Sequence, residues 1–308
     1  MKKIVAITVA YHPELEIFRA LLEQLLAQVA SVIVVDNTPG NENPSLVSLL
    51  AALVDGERCR LVRLKENTGI AHAINIGLLC AFDEGAEFVL LSDQDSLPAN
   101  DMAENLRRAS LELTDQGILV GAVGPTFTDL HTLQIYPFQT QLSGKFFYGH
   151  KASTAEDPHV EALTLITSGV LISTEVIRKV GMMREDFFID HVDIEWCHRA
   201  RSKGYRLFGT GWAKMHQRMG EARLRVWYLR WRYESEYNPV RIYYRLRNFV
   251  VLCKLDFVDW RWKVRNTWYW LGIVYAHLFF SKKRNAEHFL MAVKGVWHGL
   301  MGRMGPYK

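Results

Sequence analysis

The sequence has few cysteines, and their spacing does not suggest a metal site or a network of disulfides. The four cysteines are Cys59, Cys80, Cys197 and Cys253, each far from the next along the chain. Structural zinc sites and small disulfide-stabilised domains both use closely spaced cysteines. We therefore expect neither, and a reducing compartment is the default.

Long apolar segments are also missing. The longest run without a charged residue, Asn266–Ser281, has 16 residues and includes polar ones, whereas a membrane-spanning helix needs about 20 predominantly apolar residues. The apolar run Ile4–Ala10 near the start of the chain has only seven residues before Tyr11. It predicts a first β-strand rather than a signal peptide for export, so a cytoplasmic protein is expected.

Three phosphate-binding patterns are absent as well. No Gly-x-Gly-x-x-Gly follows the first predicted strand, which argues against a dinucleotide-binding Rossmann domain, and no Walker-type Gly-Lys-Ser/Thr loop is present. A nucleotidyltransferase would need a triphosphate loop rich in Gly and Arg or Lys at this point, and Ala10-Tyr11-His12-Pro13 does not supply one.

The charges are distributed unevenly between two parts of the chain. Residues 1–218 contain 20 Lys or Arg and 27 Asp or Glu, whereas residues 219–308 contain 17 and 6. The second part also holds twenty aromatic residues, including seven of the nine Trp. We therefore predict an acidic globular domain over residues 1–220 and a basic, aromatic, helical extension over residues 221–308.

The first ninety residues alternate between buried strands and amphipathic helices. Apolar, β-branched runs at 3–10, 32–35, 60–64 and 88–91 are separated by segments with helical spacing of Leu, Ile and Phe. Such a series predicts a parallel sheet with right-handed crossovers. Ligands of such α/β folds bind in the crevice beyond the carboxyl ends of the strands.

Several polar residues follow these strand ends. Asp36 ends the second strand, where it can accept hydrogen bonds from a nucleobase or ribose. Asp93 and Asp95 follow the fourth strand, and two carboxylates there suit Mg²⁺ or Mn²⁺ completed by substrate phosphates, although many such triplets are only solvated turns. Asn67 and Gly69 begin a helix whose amides can face an anion; the alternative is an ordinary capped helix packed on the sheet.

Two later segments are candidates for the rest of the site. Residues 125–158 lose all periodicity and are rich in aromatics, and long irregular segments in compact domains are usually functional. We expect this segment to face an acceptor. Asp190, Asp193 and Glu195 then crowd the start of a helix. Acids at a helix start often only satisfy its dipole, but three within six residues are more than capping needs.

Taken together, the motifs resemble those of glycosyltransferase family 2, which has a GT-A fold with a mixed, mainly parallel sheet flanked by helices. The matching elements are Tyr-His-Pro after the first strand, Val-Asp-Asn at 35–37, Asn67-x-Gly69, Asp93-Gln94-Asp95, Thr167-Ser168-Gly169, Asp190-x-x-Asp193-x-Glu195-Trp196 and His216. The Asp-Gln-Asp variant and the later Arg241-x-Tyr243-Tyr244-x-x-Arg247-Asn248 are similar to the bacterial rhamnosyltransferases that build lipopolysaccharide and other surface glycans.

The resemblance implies an inverting, metal-dependent transfer of L-rhamnose from dTDP-β-L-rhamnose to a hydroxyl of a surface glycan. It implies Asp193 as the general base, with Asp190 and Glu195 as competitors for that role. Asp95 and His216 would be metal ligands, although a lone His is more often structural. The nucleotide would contact Ala10, Tyr11, Asp36, Asn67, Gly69 and Asp93, and the acceptor would contact Ser168, Gly169, Asp190, Glu195 and Trp196.

Two other interpretations remain open at this point: a transferase that uses another nucleotide sugar, and a non-catalytic module that binds a sugar nucleotide or lipid. Basic helices with Trp and Tyr at their apolar edges suit the headgroups of an anionic leaflet. We therefore expect peripheral contact with the inner face of the cytoplasmic membrane and a glycan or glycolipid acceptor. The alternatives for the extension are packing on the catalytic domain or a dimer contact. Nucleic acid is not expected as a partner, because the predicted crevice is acidic.

Overall fold

The structure is a computed structural model of the chain. It describes residues 3–40, 44–53, 58–129, 135–142, 146, 148–217, 223–228, 230–235, 237–280 and 285–307. The side chains of residues 217 and 223–235 lie outside the description.

A mixed, mostly parallel sheet forms the centre of the described fold. Its strands, in spatial order, are β10 (His159–Ala162), β12 (Arg206–Gln217), β6 (Val120–Asp129), β11 (Val170–Ser173), β4 (Phe88–Ser92), β1 (Ile4–Ala10), β2 (Ser31–Asp36) and β3 (Cys59–Arg63), with β5 (Ser96–Pro98) on β12 and β7 (Ile135–Tyr136) on β6. Strands β1 to β4 are parallel, β6 and β12 are parallel to each other, and β11 runs antiparallel between β4 and β6. The predicted mixed, mainly parallel sheet is confirmed.

The central strands are buried along their whole length because helices cover both faces of the sheet. Every residue of β1 and β4 is buried, as expected for strands sandwiched between two layers. The flanking helices are α1 (Leu15–Leu26), α2 (Pro44–Ala51), α3 (Ile70–Asp83), α4 (Met102–Asp115), α5 (Thr174–Val180) and α6 (Val192–Ser202). This packing sets the carboxyl ends of β1, β2 and β4 side by side at one edge.

The segment 125–158 is less irregular than its sequence indicates. Strand β6 extends through residue 129, β7 pairs with it, and β8 (Phe138–Thr140) and β9 (Gly149–Lys151) form a separate antiparallel pair. These strands have two to three residues each, apart from β6, and are too short to leave a periodic signal. The prediction that the segment lacks regular structure was wrong in part.

The C-terminal part begins with a β-hairpin and continues as three helices. Strands β13 (Arg223–Tyr228) and β14 (Arg230–Ser235) pair antiparallel and are followed by α7 (Pro239–Lys254), α8 (Trp260–Phe280) and α9 (Asn285–Met301). The helices agree with the sequence prediction, but the hairpin was missed, although Arg and apolar residues alternate in Arg223-Leu-Arg-Val. No helix in the described part of the chain is both long enough and apolar enough to cross a bilayer.

Candidate active site

The turn after β4 is fixed to the end of β1 by one side chain. Gln94 accepts a hydrogen bond from the backbone amide of Tyr11 at 2.8 Å and donates one to its carbonyl at 3.1 Å. Gln94, the middle residue of the Asp-Gln-Asp triplet, therefore connects the ends of the parallel strands β1 and β4 through hydrogen bonds. Because Gln94 is held in this way, its neighbours Asp93 and Asp95 are positioned over the same crevice as Ala10 and Tyr11.

The end of β2 carries a second fixed polar group. Asp36 is buried, pairs in register with Ala10, and accepts a hydrogen bond from the amide of Thr38 at 3.1 Å. Asn37 accepts from the amide of Thr68 at 2.9 Å and donates to Asn67 at 3.1 Å. Asn37 was not among the predicted site residues, yet it connects the ends of β2 and β3 and holds Asn67 at the rim.

Gly69 has a structural reason to be glycine. Its φ is +87° and its ψ is 158°, a conformation that is essentially restricted to glycine. A Cβ at this position would lie 2.6 Å from the carbonyl oxygen of Phe188, and the next amide, of Ile70, donates to the same oxygen at 2.7 Å. The start of α3 is thus pressed against the segment that leads to Asp193.

Replacing Gly69 by Ala is therefore expected to destabilise the fold more than the same change at Gly85. Gly85 also has a positive φ, of 70°, but a Cβ there meets no atom within 4 Å. Gly85→Ala therefore measures only the free-energy cost of placing a non-glycine residue at positive φ, about 1–2 kcal/mol. Gly69→Ala should cost a further ~1–3 kcal/mol, typical of overpacking. Thermal or urea unfolding of the two variants measures the difference. Equal losses of stability in the two variants would show that Phe188 moves aside without a free-energy cost.

The carboxylate of Asp93 lies among other negative charges. Burial, the neighbouring charge of Asp95 and that of Asp193 raise the pKa of Asp93 to about 7. Thr167 donates a hydrogen bond to Asp93 at 3.4 Å, and the positive charge of Arg241 acts in the opposite direction. The charge of Asp193 acts on Asp93, so the end of β4 and the start of α6 interact electrostatically. An added cation would relieve this repulsion.

Asp193 itself lies in the first turn of α6, after a strained stretch of backbone. Phe188, Asp190 and His191 all have positive φ, between 61° and 64°. Such conformations cost about 1–3 kcal/mol each in non-glycine residues and cluster at functional sites. Burial raises the pKa of Asp193 to about 6. A carboxyl group with this pKa binds a proton more readily than a free aspartate and is still ionised at neutral pH.

Residues of α7 hold this strained stretch in place. The buried amide of Asn248 donates to the backbone oxygens of Phe187, Ile189 and Asp190 at 2.8–2.9 Å. Arg247, also buried, donates to Phe187 at 2.9 Å. We call Arg247 and Asn248 the α7 clamp. They satisfy carbonyls that a strained loop would otherwise leave unpaired.

The carboxylate of Asp190 is also bound by side chains of α7. Arg245 donates to it at 3.0 Å and Arg241 at 3.2 Å. Burial acts to raise the pKa of Asp190, but Arg245 and Arg241 outweigh it and hold that pKa below its usual range. Arg241 also acts electrostatically on Asp93 and Asp95. Sequence reasoning noted this arginine motif without assigning it a role, and the structure connects it to the site.

The residues predicted to hold a metal fit that task chemically. His216 lies on β12, which pairs with β5, the strand that begins just after Asp95, with His216 opposite Leu97. Its Nδ1 is buried and has no hydrogen-bond partner among the described residues. Asp95 is exposed. No three His, Cys, Asp or Glu side chains converge as a ready-made metal site in the described part of the chain.

Most of the residues predicted to contact the acceptor have other partners in the fold. Glu195 is 2% exposed and forms an ion pair with Arg199 at 2.9 Å. Trp196 is buried and donates to the carbonyl of Gly181 at 2.9 Å. This burial argues against a direct acceptor contact for Glu195 or Trp196, and it removes Glu195 as a competitor for the base.

Ser168 and Gly169 support the turn after β4 instead of lining an open surface. Ser168 is fully buried, and its hydroxyl is 2.7 Å from that of Ser96. The amide of Gly169 donates to Leu91 at 2.7 Å, and a Cβ on this residue, whose φ is +72°, would lie 2.7 Å from Pro125. A part for these two residues in acceptor binding stays a prediction.

Known proteins with a similar sequence identify the family of this chain. The sequence model of the glycosyl transferase family 2 matches residues 6–159. The dTDP-rhamnosyl transferase RfbF of Shigella flexneri is 30% identical over 304 residues, covering 97% of each chain.

Two solved structures share the fold, which is of the GT-A type. GalNAc-T7, determined with UDP, GalNAc and Mn²⁺, superposes with a TM-score of 0.61 at 12% identity over 86% of this chain. TarS of S. aureus superposes with a TM-score of 0.52 at 16% identity over 91%. The chain spans 51% of the length of GalNAc-T7 and 44% of TarS. The relative with full-length coverage and the match to the family model together show that the chain belongs to glycosyltransferase family 2.

Proposed function

We propose that this chain transfers L-rhamnose from dTDP-β-L-rhamnose to a hydroxyl of lipopolysaccharide or another surface glycan, with inversion and with a divalent metal. The observation that supports the proposal is that the negative charge of Asp193 acts on the buried Asp93. Asp95 follows Asp93 by two residues, and His216, whose Nδ1 has no hydrogen-bond partner among the described residues, lies on the strand paired with Ser96–Pro98. The choice of donor is supported by the full-length similarity to a dTDP-rhamnosyl transferase.

On the donor side, Asp36 would hold the base and Asp93 the ribose, with Ala10, Tyr11, Asn67 and Gly69 along the same edge of the sheet. Asp95 and His216 would hold Mg²⁺ or Mn²⁺, which as a Lewis acid would neutralise the charge developing on the leaving diphosphate.

On the acceptor side, Asp193 would accept the proton of the attacking hydroxyl. The new bond forms between that oxygen and the anomeric carbon, the bond from this carbon to the phosphate oxygen breaks, and its electron pair leaves with dTDP. Displacement from the opposite face inverts the anomeric centre. The α7 clamp would keep the backbone before Asp193 in the conformation that directs this carboxylate at the crevice.

The proposal is tested by offering the protein a panel of nucleotide sugars with Mg²⁺, Mn²⁺ or EDTA and detecting the released nucleoside diphosphate. We expect release from dTDP-β-L-rhamnose, dependent on the metal and accelerated by a glycan acceptor. Turnover of a different sugar nucleotide would reassign the donor. Absence of any metal-dependent binding of a nucleoside diphosphate would contradict the proposed reaction.

We also propose that α9 contacts the inner face of the cytoplasmic membrane. Six apolar residues at helical spacing, 48–65% exposed, form one face of this helix: Phe289, Leu290, Val293, Trp297, Leu300 and Met301. Exposed apolar surface of this extent is typical of an interaction site. The excess of basic residues in the C-terminal part favours an anionic leaflet.

Leu290→Glu is expected to weaken binding to vesicles that contain phosphatidylglycerol about tenfold, since one buried leucine contributes about 1.5–3 kcal/mol. The matched control is Leu119→Glu, because Leu119 precedes β6 and is 61% exposed, similar to the 65% of Leu290. It should bind as the wild type does. Sedimentation with vesicles measures both. Equal binding of the two variants, or no preference for anionic over zwitterionic vesicles, would contradict the membrane contact.

A further inference from the structure

A cavity of about 580 Å³ lies between the sheet and α8, outside the carboxylate centre described above. Its apolar walls come from β6, β7 and β8, and its polar groups come partly from α8. The lining includes Phe127, Tyr136, Phe138, Gln139, His150 and Arg265. The volume falls in the range of small-molecule sites, about 300–1,000 Å³.

The floor of the cavity is directly connected to both halves of the reaction centre. Residues 164–166 line it, and the next residue, Thr167, donates to Asp93. The amide of Leu165 contacts the sulfur of Cys197 at 3.4 Å, and Cys197 lies one helical turn after Asp193 on α6. The floor of the cavity is therefore linked to Asp93 through Thr167 and to α6 through Cys197, although neither Asp93 nor Asp193 lines the cavity itself.

The lining combines features that suit a sugar ring. Aromatic side chains offer flat apolar surfaces for the C–H faces of a pyranose, and the amide of Gln139 offers a donor and an acceptor for its hydroxyls. The amide nitrogen of Asn266 donates to the carbonyl of Trp262 at 2.9 Å, which leaves its oxygen as an acceptor. These are few polar groups on an otherwise apolar wall, which is the usual composition of a specific small-molecule site.

The side chain of Arg265 in the lining indicates that the ligand carries a negative charge. Arg265 is only partly exposed, and no residue in the described ranges forms an ion pair or hydrogen bond with it. Burial lowers the pKa of Arg265, and Arg265 contributes to lowering the pKa of His150, which shares the cavity. A half-buried guanidinium without a carboxylate partner is free to bind an anionic group of a ligand through charge-assisted hydrogen bonds.

We propose that this cavity is the acceptor subsite and that it takes a sugar bearing a carboxylate or phosphate, which Arg265 binds while the aromatic wall packs against the ring. The acceptor role of the cavity rests on the proposed transferase function. The class of ligand, an anionic sugar, does not. The proposal also gives the segment 125–158 a function in acceptor binding, since its strands β7, β8 and β9 contribute to the cavity wall.

The test is isothermal titration of the protein, in the presence of Mg²⁺ and dTDP, with methyl β-D-glucuronide, glucose 1-phosphate and methyl β-D-glucoside. We expect at least one anionic sugar to bind about tenfold or more tightly than the neutral one, as a charge-assisted hydrogen bond provides. The carboxylate and phosphate probes distinguish the two sources of charge. Arg265→Gln should remove the preference and Arg265→Lys should retain part of it.

The matched control is Arg60→Gln, which removes an exposed arginine at the far edge of the sheet on β3. It should keep the preference. Equal binding of all three sugars, or an unchanged preference in Arg265→Gln, would overturn the proposal. Binding of dTDP is recorded in the same samples. A protein that selects anionic sugars but does not bind dTDP would contradict the transferase function and the acceptor role, and would leave only the ligand class of the cavity standing.

Discussion

Replacing Asp193 by Asn is expected to lower kcat for sugar transfer about 10²–10⁴-fold, the usual contribution of a general base. Asn has the same shape and can still accept the hydrogen bond that Asp193 takes from the amide of Ile194 at 2.8 Å, so the loop should keep its conformation. It cannot accept the proton. The Kd for dTDP should change by less than about twofold, because the lost interaction belongs to the chemical step alone. Initial rates and calorimetry measure the two quantities.

The pH dependence provides an independent check on the same residue. Since burial raises the pKa of Asp193 to about 6, the carboxylate is the ionised, active form above that pH and becomes protonated below it. The wild-type rate should therefore fall as the pH drops through about 6, and Asp193→Asn should lose this dependence. The control Asp101→Asn alters an exposed carboxylate just before α4 and should behave as the wild type. Retained turnover in Asp193→Asn would move the base elsewhere in the crevice.

Asp95→Ala is expected to remove the effect of metal on nucleotide binding and to lower kcat/KM about 10²–10³-fold, corresponding to several kcal/mol of lost charge stabilisation. Unlike the change at Asp193, it should weaken both the binding of dTDP and the reaction. Calorimetric titration of dTDP with Mn²⁺ and with EDTA separates the two contributions. His216→Ala should have the same direction of effect, because its unpartnered Nδ1 is the second proposed ligand.

The control for Asp95 is Asp83→Ala, an exposed carboxylate at the end of α3, which should leave the metal response intact. If dTDP bound the wild type equally well in EDTA and in Mn²⁺, a role for Asp95 in metal binding would be contradicted, and the surplus negative charge around Asp93 would need another counter-ion. Arg241, whose charge already acts on Asp93 and Asp95, would then be the first residue to substitute.

Much of the sheet could be predicted because its strands are short, continuous apolar runs. Strands β1 to β4 lie within a residue or two of their predicted bounds. The apolar residues Leu207 and Phe208 of β12 are followed by Gly209 and Gly211, which interrupt the strand pattern of the sequence. In the structure both continue the strand, since a Cβ at Gly209 would lie 2.2 Å from Phe138 and one at Gly211 would lie 2.7 Å from Ser153. These glycines permit close packing, which no local pattern reveals.

Asp36, Asp93 and Asp95 could be placed at one edge of the sheet from the sequence, because the carboxyl ends of parallel strands lie side by side. The α7 clamp could not. Asn248 acts on backbone oxygens 58–61 residues earlier in the chain, and any residue type can supply such an oxygen. The partner positions therefore carry no compositional signal. The same reason explains why Gln94 and Asn37 were missed as organising residues, since the groups they bind are largely backbone amides and carbonyls.

The α7 clamp has a consequence for hybrid enzymes. The family model ends at residue 159, before Asp193 and before the α7 clamp. Arg247 reaches forward to the carbonyl of Gly305, and Tyr244 accepts a hydrogen bond from the amide of Tyr307 at 2.7 Å. A chimaera that grafts the N-terminal half of this chain onto a relative would need α6, α7 and the final turn from a single parent, because exchanging only one would leave the loop before Asp193 without the α7 clamp.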